Sequence, residues 1–301
     1  MERSEFLNRY NISAKAFAST GISWEELEKV REHYLKTRDE LEPTARGIVN
    51  ILHKTEKVHS VSYRIKEPEH LMAKIIRKRI DKPQIVIDVD NYRQRITDLI
   101  GIRVLHLFKE DWMDINSFII KTWDLQKAPV AYVRRGDAAG YIDSFKTNGC
   151  LIKEHPYGYR SVHYLLKSTA AEWGEVSEVQ VRTLFEEAWS SIDHHVRYPY
   201  EPRNILLNEL LVILNRLAGS ADEMGSYIIY LKKKLRSMDK YFTDNDYGDG
   251  AKAGFQFLDE FEWHAEMGRG IGEREDSPSP EHDVGEEEPG NSEKSSSSRT
   301  T

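Results

Sequence analysis

Two carboxylates and a group of cations stand where hydrophobic packing does not ask for them. Asp98 opens the run Asp-Leu-Ile-Gly-Ile-Arg-Val-Leu-His-Leu-Phe, which has the length and apolarity of a buried strand. Glu178 begins Glu-Val-Gln-Val-Arg-Thr, where alternation puts Glu178, Gln180 and Arg182 on one face and Val179 and Val181 on the other. Two carboxylates brought together repel unless a hard cation bridges them, and Mg²⁺ takes such oxygens while leaving positions open for substrate phosphates. Arg64 and Lys66 leave an alternating segment at 60–66, and Lys74 and Arg77 lie on the exposed face of the helix expected at 69–80. These four cations make a cradle for a polyphosphate. Tyr159 offers a ring on which a base can stack. Such parts suit phosphoryl or pyrophosphoryl transfer, where positioning and charge stabilisation dominate. Each also has a plainer reading: a basic helix face is ordinarily a solvated face, and Asp98 with Arg103 equally describes a strand-end cap with a buried ion pair.

The elements that must position these residues follow from periodicity. In the stretch 157–166, Tyr159, Ser161 and His163 share a face while Val162, Tyr164 and Leu166 take the other, and a polar link at 167–175 suits a hairpin to the strand of Glu178. A face of Tyr, Ser, His, Glu, Gln and Arg is a poor core and a good floor for a polar site. Upstream, 23–38 reads as a helix, with Ser23 and Glu26 spaced as a capping box and Trp24, Leu27, Val30, Tyr34 and Leu35 on one stripe. Pro43 is expected to break it, with a helix resuming over 45–57 and packing on one side of the sheet. Residues 91–97 read as a short helix or turn, 111–123 as an amphipathic helix, and 125–154 as a loop-rich cover with Arg134, Arg135, Lys146 and Lys153. A helix at 184–196 turns Trp189 and Ile192 inward. Its neighbours His194 and His195 point about 100° apart, which disfavours a shared metal ion. Two more helices, 205–217 and 221–242, are expected to break at Gly219-Ser220.

Composition limits the class further. The chain has 301 residues, 39% hydrophobic and 31% charged, with a formal net charge of −7. Residues 265–301 hold ten Asp or Glu against four Lys or Arg, so the tail carries nearly all of that charge. From 243 onward the Gly, Asp, Pro, Glu and Ser content is that of disorder, apart from an apolar patch at Phe255, Phe257, Leu258, Phe261 and Trp263. The single Cys150 fits a reducing compartment, and no apolar run reaches membrane-span length, so a cytoplasmic protein is expected. There is no glycine-rich phosphate loop, dinucleotide fingerprint, Cys/His zinc spacing or nucleophile elbow. A nucleotide enzyme built from this chain must hold phosphate with side-chain cations and metal.

Four motifs in order resemble the RelA/SpoT-type alarmone synthetase domain. They are Arg64-Ile-Lys66 followed by Pro68, Glu69 and Lys74; Asp98-Leu-Ile-Gly-Ile-Arg103; Gly158-Tyr-Arg-Ser-Val-His163; and Glu178-Val-Gln-Val-Arg-Thr183. The helix Ala188-Trp-Ser-Ser-Ile-Asp-His194 looks like that family's continuation. The resemblance implies an α+β fold, a nucleotidyltransferase-like mixed β-sheet flanked by helices, with N- and C-terminal helical additions. The implied segments are a helical 1–59, a synthetase domain at 60–200, a helical pair at 201–242 and the tail. It also implies transfer of the ATP β,γ-pyrophosphate to the ribose 3′-hydroxyl of GDP or GTP, making (p)ppGpp. Carried over, Arg64 lies near the ATP adenine and Lys66 and Lys74 bind its phosphates; Arg77 joins that side on the charge pattern alone, and Arg103, Gln180 and Arg182 are motif members that either organise the site through buried ion pairs or contact substrate. Asp98 binds Mg²⁺, and Glu178 binds metal or activates the acceptor hydroxyl. Tyr159 stacks on the acceptor guanine, His163 lies near the acceptor phosphates, and Gln180 and Lys153 complete the acceptor side.

Two departures from the family pattern bear on this. The family's hydrolase domain has no counterpart, so a synthetase without alarmone hydrolysis is expected. The run Tyr141-Ile-Asp-Ser-Phe-Lys146-Thr-Asn148-Gly149 echoes the loop that precedes the stacking tyrosine but ends at Cys150, nine residues before Tyr159. Either an insertion sits in that loop or the segment at Lys153 replaces it. Small toxin members of the family pyrophosphorylate the 3′-CCA end of tRNA, which lacks a 5′-diphosphate, and others modify adenine nucleotides; tRNA is therefore the alternative acceptor. A non-catalytic binding role fits less well, since each catalytic position is filled. The C-terminal helices offer two readings, self-association into a homo-oligomer as in small synthetases of the family, or the more common packing of an amphipathic stripe into the core.

Overall fold

The computed structural model describes residues 2–167, 176–197 and 204–242. The expected tail, its aromatic patch and the 168–175 link lie outside the described residues. The chain opens with four helices, α1 (Arg3–Arg9), α2 (Ala14–Ser19), α3 (Trp24–Thr37) and α4 (Leu41–Leu52). Then come β1 (Ser60–Ile65), α5 (Pro68–Asp81), α6 (Tyr92–Arg95), β2 (Ile100–His106) and α7 (Asp111–Thr122). The second half runs β3 (Val130–Val133), α8 (Ala139–Thr147), β4 (Leu151–Glu154), β5 (Ser161–Lys167), β6 (Val176–Thr183), α9 (Leu184–Arg197) and α10 (Ile205–Phe242).

The strands form one six-stranded sheet in the order β1-β2-β6-β5-β3-β4. β2 runs parallel to β6 and β3 parallel to β4, while the other neighbours are antiparallel. This is the mixed sheet flanked by helices that the sequence implies, with helical additions at both ends. Side chains alternate across a strand, so the register decides which residues share a face. Arg64 pairs with Gly101, Gly101 with Glu178, Arg103 with Gln180, and Gln180 with His163. Tyr132 pairs with both Ser161 and Lys153, which extends the same face to the far edge. The opposite face carries Ile100, Ile102, Val104, Ala131, Val162, Tyr164, Val179 and Val181, all buried. These belong to one core cluster with side chains from α1 through α8.

Local signals set the helix starts. Ser23 Oγ accepts from the Glu26 N–H and Glu26 Oε2 accepts from the Ser23 N–H, closing the expected capping box of α3. Pro68 occupies the first turn of α5, where its missing N–H costs no helical bond. Thr183 and Glu186 exchange the same reciprocal bonds at the start of α9, and Thr183 Oγ1 also donates to Asp222 Oδ2 of α10 at 3.0 Å.

Several expectations are corrected. The break after α3 falls at a 3-10 turn, Arg38–Glu40, and Pro43 lies inside the first turn of α4, where proline is tolerated. Leu35 and Ile192, expected to face inward, are both nearly half exposed. The region 125–154 is no loop: it holds β3, α8 and β4, whose strands of four residues are too short to show alternation. The expected helical pair at the C-terminus is one helix of 38 residues, about 57 Å long. Gly219 does not stop it; a Cβ there would come within 3.3 Å of the Arg160 guanidinium, so the glycine admits a close approach. Among the described residues no helix is long and apolar enough to cross a membrane.

Burial, with the Glu186 charge beside it, pushes the Asp222 carboxyl up from the ordinary 3.8 to about 7. A raised carboxyl favours the folded state at low pH, and that favour is lost as pH rises through about 7. Asp222→Asn is therefore expected to stabilise the protein more near pH 8 than near pH 5, by roughly 1 kcal/mol or more in denaturant titrations. Equal shifts at the two pH values would show that the carboxyl is not raised.

Candidate active site

The polar face of the sheet is bounded by α5 on one side and α9 on another. Lys66, just past β1, and Lys74, on α5, both reach Asp98 Oδ2, at 2.6 and 2.9 Å. Asp98 is 7% exposed, and its Oδ1 is buried with no hydrogen-bond partner among the described residues. Burial alone would raise the Asp98 carboxyl, but the charges of Lys74 and Lys66 outweigh it and hold the group far below the usual carboxylate range. Burial in turn lowers the Lys66 ammonium, against the pull of Asp98.

Glu178 stands on β6 within reach of the charges of Asp98 and Lys74. A closed ring of hydrogen bonds fixes it. His163 Nδ1 lies 3.2 Å from Glu178 Oε1, and His163 Nε2 lies 2.9 Å from the Tyr159 hydroxyl. Arg182 Nη2 donates to the Tyr159 oxygen at 2.8 Å and to Gln180 Oε1, and Gln180 Nε2 donates to Glu178 Oε2 at 2.9 Å. Donor counting sets the direction. Arg182 can only donate, so the Tyr159 oxygen accepts from it, and the ionised Glu178 can only accept, so His163 carries a proton on the Nδ1 that faces it. Burial would raise Glu178, yet the His163 hydrogen bond and charge outweigh burial and bring its carboxyl down to about 2. Glu187 of α9 braces the face by pairing with both Arg103 and Arg182, and Ser190 accepts from Arg182 at 2.9 Å.

Arg64 lies flat across the sheet because Gly101 opposite it has no side chain; a Cβ there would sit 3.3 Å from Arg64 Nε. Around them Ser62, Tyr63, Arg103 and Gln180 line a cavity of about 190 Å³. On the other side of the face, the half-buried Tyr159 ring packs edge-on to Tyr132 and is flanked by His155, with the Arg182 guanidinium 5.0 Å from its centroid. The arrangement offers an anionic pair in the middle, a cationic groove on one side and an aromatic wall on the other.

Residues 63–203 match the family model described as the region found in RelA / SpoT proteins. The chain carries a RelA/SpoT region. It is 25% identical over 221 residues to the GTP pyrophosphokinase YjbM of Bacillus subtilis, covering 70% of this chain and 90% of that protein. It is 23% identical over 190 residues to the GTP pyrophosphokinase YwaC of the same organism, covering 62% and 79%. A solved structure of a GTP pyrophosphokinase family protein from Streptococcus pneumoniae is 21% identical, with a TM-score of 0.46, covering 73% of this chain and 99% of that one.

Within the RelA/SpoT region the fold gathers most of the residues singled out from sequence. Asp98, Lys66 and Lys74 form one cluster; Glu178, His163, Gln180 and Tyr159 form the ring; Arg64 and Arg103 lie in the cavity between. Two stand apart. The Arg77 guanidinium donates to the Tyr10 carbonyl at 3.4 Å, although its charge still reaches His70 beside Lys66 and Arg64. Lys153 shares the polar face but sits on β4, three strands or about 14 Å across from β6. The run 141–149 that echoes the family's acceptor loop is helix α8 and its end: Tyr141 and Phe145 pack on the core, Lys146 pairs with the exposed Asp143, and Gly149 at φ +80° turns the chain. Of the two readings left open by the sequence, the structure puts Lys153, not Lys146, on the site face.

Sequence reading missed Glu187, Ser190, Tyr132 and His70. Glu187 carried a weak signal, an acid three residues before Ser190 on a helix following directly from Arg182. Tyr132 carried none, because its strand was not visible.

A carboxyl depressed to about 2 contributes stability that is complete above its ordinary 4.5 and is lost as pH falls toward 2. Between about pH 5 and about pH 3, wild type is expected to lose unfolding free energy more steeply than Glu178→Gln. Parallel slopes would show that the ring does not depress Glu178.

Proposed function

We propose that this chain transfers the β,γ-pyrophosphate of ATP to the 3′-hydroxyl of GDP or GTP, making (p)ppGpp. The observation that carries the reading is the joining, on one sheet face, of a lysine-clasped Asp98 with a hydrogen-bond-locked Glu178 between a cationic groove and an aromatic wall. Membership of the RelA/SpoT region and the GTP pyrophosphokinase relatives support the same chemistry.

In this reading the acceptor base rests on Tyr159 and the triphosphate lies along Arg64, Lys66, Lys74 and Arg103. The 3′-oxygen forms its new bond to the β-phosphorus, and the bond from that phosphorus to the bridging α-phosphate oxygen breaks. AMP leaves with the electron pair. Glu178 accepts the hydroxyl proton as the new bond forms. A carboxylate held near 2 is a weak base, so its larger contribution is to orient the hydroxyl, which suits a loose transition state.

Mg²⁺ fits the residues present: Asp98 keeps a buried oxygen without a partner, and Glu178 adds a second hard donor nearby. In this reading the ion is held by two carboxylates and the substrate's own phosphates. When bound, Mg²⁺ would neutralise charge developing on the transferred phosphates. The single buried Cys150 supports a cytoplasmic setting. Exposed Leu206, Leu210, Ile213 and Leu217, spaced by four, three and four along α10, support a homo-oligomer through that helix.

One observation favours a second acceptor. Lys146 of the acceptor-loop echo is turned out on α8 and paired with Asp143, which removes one cation from a 5′-diphosphate site, and the 3′ end of a tRNA carries no such group. The deciding experiment incubates the purified protein and Mg²⁺ with ATP labelled on its γ-phosphate and, separately, GDP, GTP, ATP or deacylated tRNA. Label is expected on GDP or GTP. Asp98→Asn should abolish transfer while nucleotide binding stays detectable, and Glu178→Gln should slow it by roughly 10²–10⁴-fold. Label on tRNA alone would replace the guanine-nucleotide reading.

A further inference from the structure

Asn215 lies on α10, a helix that contributes no residue to the site described above, and it is 1% exposed. Its side-chain N–H donates to the Gly158 carbonyl at 2.9 Å. Its carbonyl oxygen accepts from Arg160 Nη1 at 3.1 Å and from Arg134 Nη1 at 3.5 Å. Gly158 and Arg160 are the residues on either side of Tyr159. One side chain of a distant helix therefore grips the backbone before the tyrosine and the side chain after it.

The surroundings tighten the grip. Arg160 is also paired with Asp137, Nη2 to Oδ1 at 2.6 Å and Nε to Oδ2 at 2.9 Å, and its guanidinium rests against Gly219, one turn along α10 from Asn215. Gly158 is held at φ +76°, and a Cβ on it would come within 3.1 Å of Asn215 Nδ2 and of Arg134 Cγ. The hydroxyl end of Tyr159 is tied by Arg182 and His163, so the ring has one fixed end in the site. Its other end is the backbone that Asn215 holds. A leucine at 215 would bury apolar surface against the body equally well, whereas an amide here must have both its donor and its acceptor satisfied.

We propose that Asn215 is a positioning residue that sets the plane of the Tyr159 ring and thereby the affinity for the acceptor base. The inference rests on the reading that Tyr159 receives that base. It gives α10 a part in acceptor recognition without any contact to substrate.

The test compares Asn215→Ala, Asn215→Asp and Leu211→Ala, the last a packing change on the same helix. Asn215→Ala should raise the acceptor KM about tenfold while the ATP KM stays within about twofold, since misplacing a substrate-positioning group by about 1 Å can cost up to 10²-fold. Asn215→Asp keeps an oxygen facing Arg160 but cannot donate to Gly158, and should raise the acceptor KM by less. Leu211→Ala should lower Tm and move neither KM. Equal changes in both KM values for the Asn215 variants, or none, would overturn the proposal. Amide hydrogen exchange of the 157–163 peptide gives a readout that needs no turnover. It should speed up in the Asn215 variants and not in Leu211→Ala; no change in the former overturns the proposal. Should the wild type label tRNA, or nothing, the functional reading fails, while the exchange result still decides whether Asn215 holds Tyr159.

Discussion

Arg182 is 2% exposed, and a guanidinium buried that deeply is tolerated only when it is paired. Its partners come from three separate parts of the chain: Tyr159 ahead of β5, Gln180 on its own strand, and Glu187 with Ser190 on α9. Breaking a buried pair of this kind costs about 3–5 kcal/mol, a large share of the stability of an ordinary domain. The sheet's polar face can exist only with α9 docked on it and with the tyrosine turned toward it. The site is therefore assembled by the same bonds that make its burial tolerable.

The two carboxylates at the centre are treated differently. Asp98 is neutralised by two ammonium groups that converge on one of its oxygens, which leaves the other oxygen without a partner. Glu178 is held by His163 and Gln180, with each oxygen engaged. Both remain ionised, the first through charge and the second chiefly through its hydrogen-bonded neighbour. Under the proposed function the contrast would separate their uses: Asp98 would exchange lysine partners for phosphate and metal, and Glu178 would stay aimed at the acceptor hydroxyl.

Glycine does comparable work by omission. Gly101 lets Arg64 lie across β2, Gly158 lets Asn215 reach the backbone ahead of Tyr159, and Gly219 lets the Arg160 guanidinium rest on α10. In each case a cation or amide approaches where a methyl group would intrude. The long helix α10 is thus connected to the aromatic wall through Asn215 and Arg160, and to α9 through the Trp189 indole, which donates to the Leu211 carbonyl, and Thr183, which donates to Asp222.

The sequence by itself determined whatever depends on short spacing. Period-two alternation identified the polar face of β5 and β6, the capping-box spacing located the start of α3, and the exclusion of charge from a buried strand marked Asp98 and Arg103. These signals are local because side-chain direction is set by backbone geometry over two to four residues. The family resemblance added the roles, not the contacts. The tertiary structure decided everything that depends on partners far apart in the chain: that Lys74 and Lys66 meet on Asp98, that Glu187 braces Arg103, that β3 brings Tyr132 to the wall, and that Asn215 reaches Gly158. It also showed Gly219 to be a contact and not a break, and the acceptor-loop echo to be a helix. A glycine in a sequence reads alike whether it ends a helix or makes room for a guanidinium, because the difference lies in what packs against it.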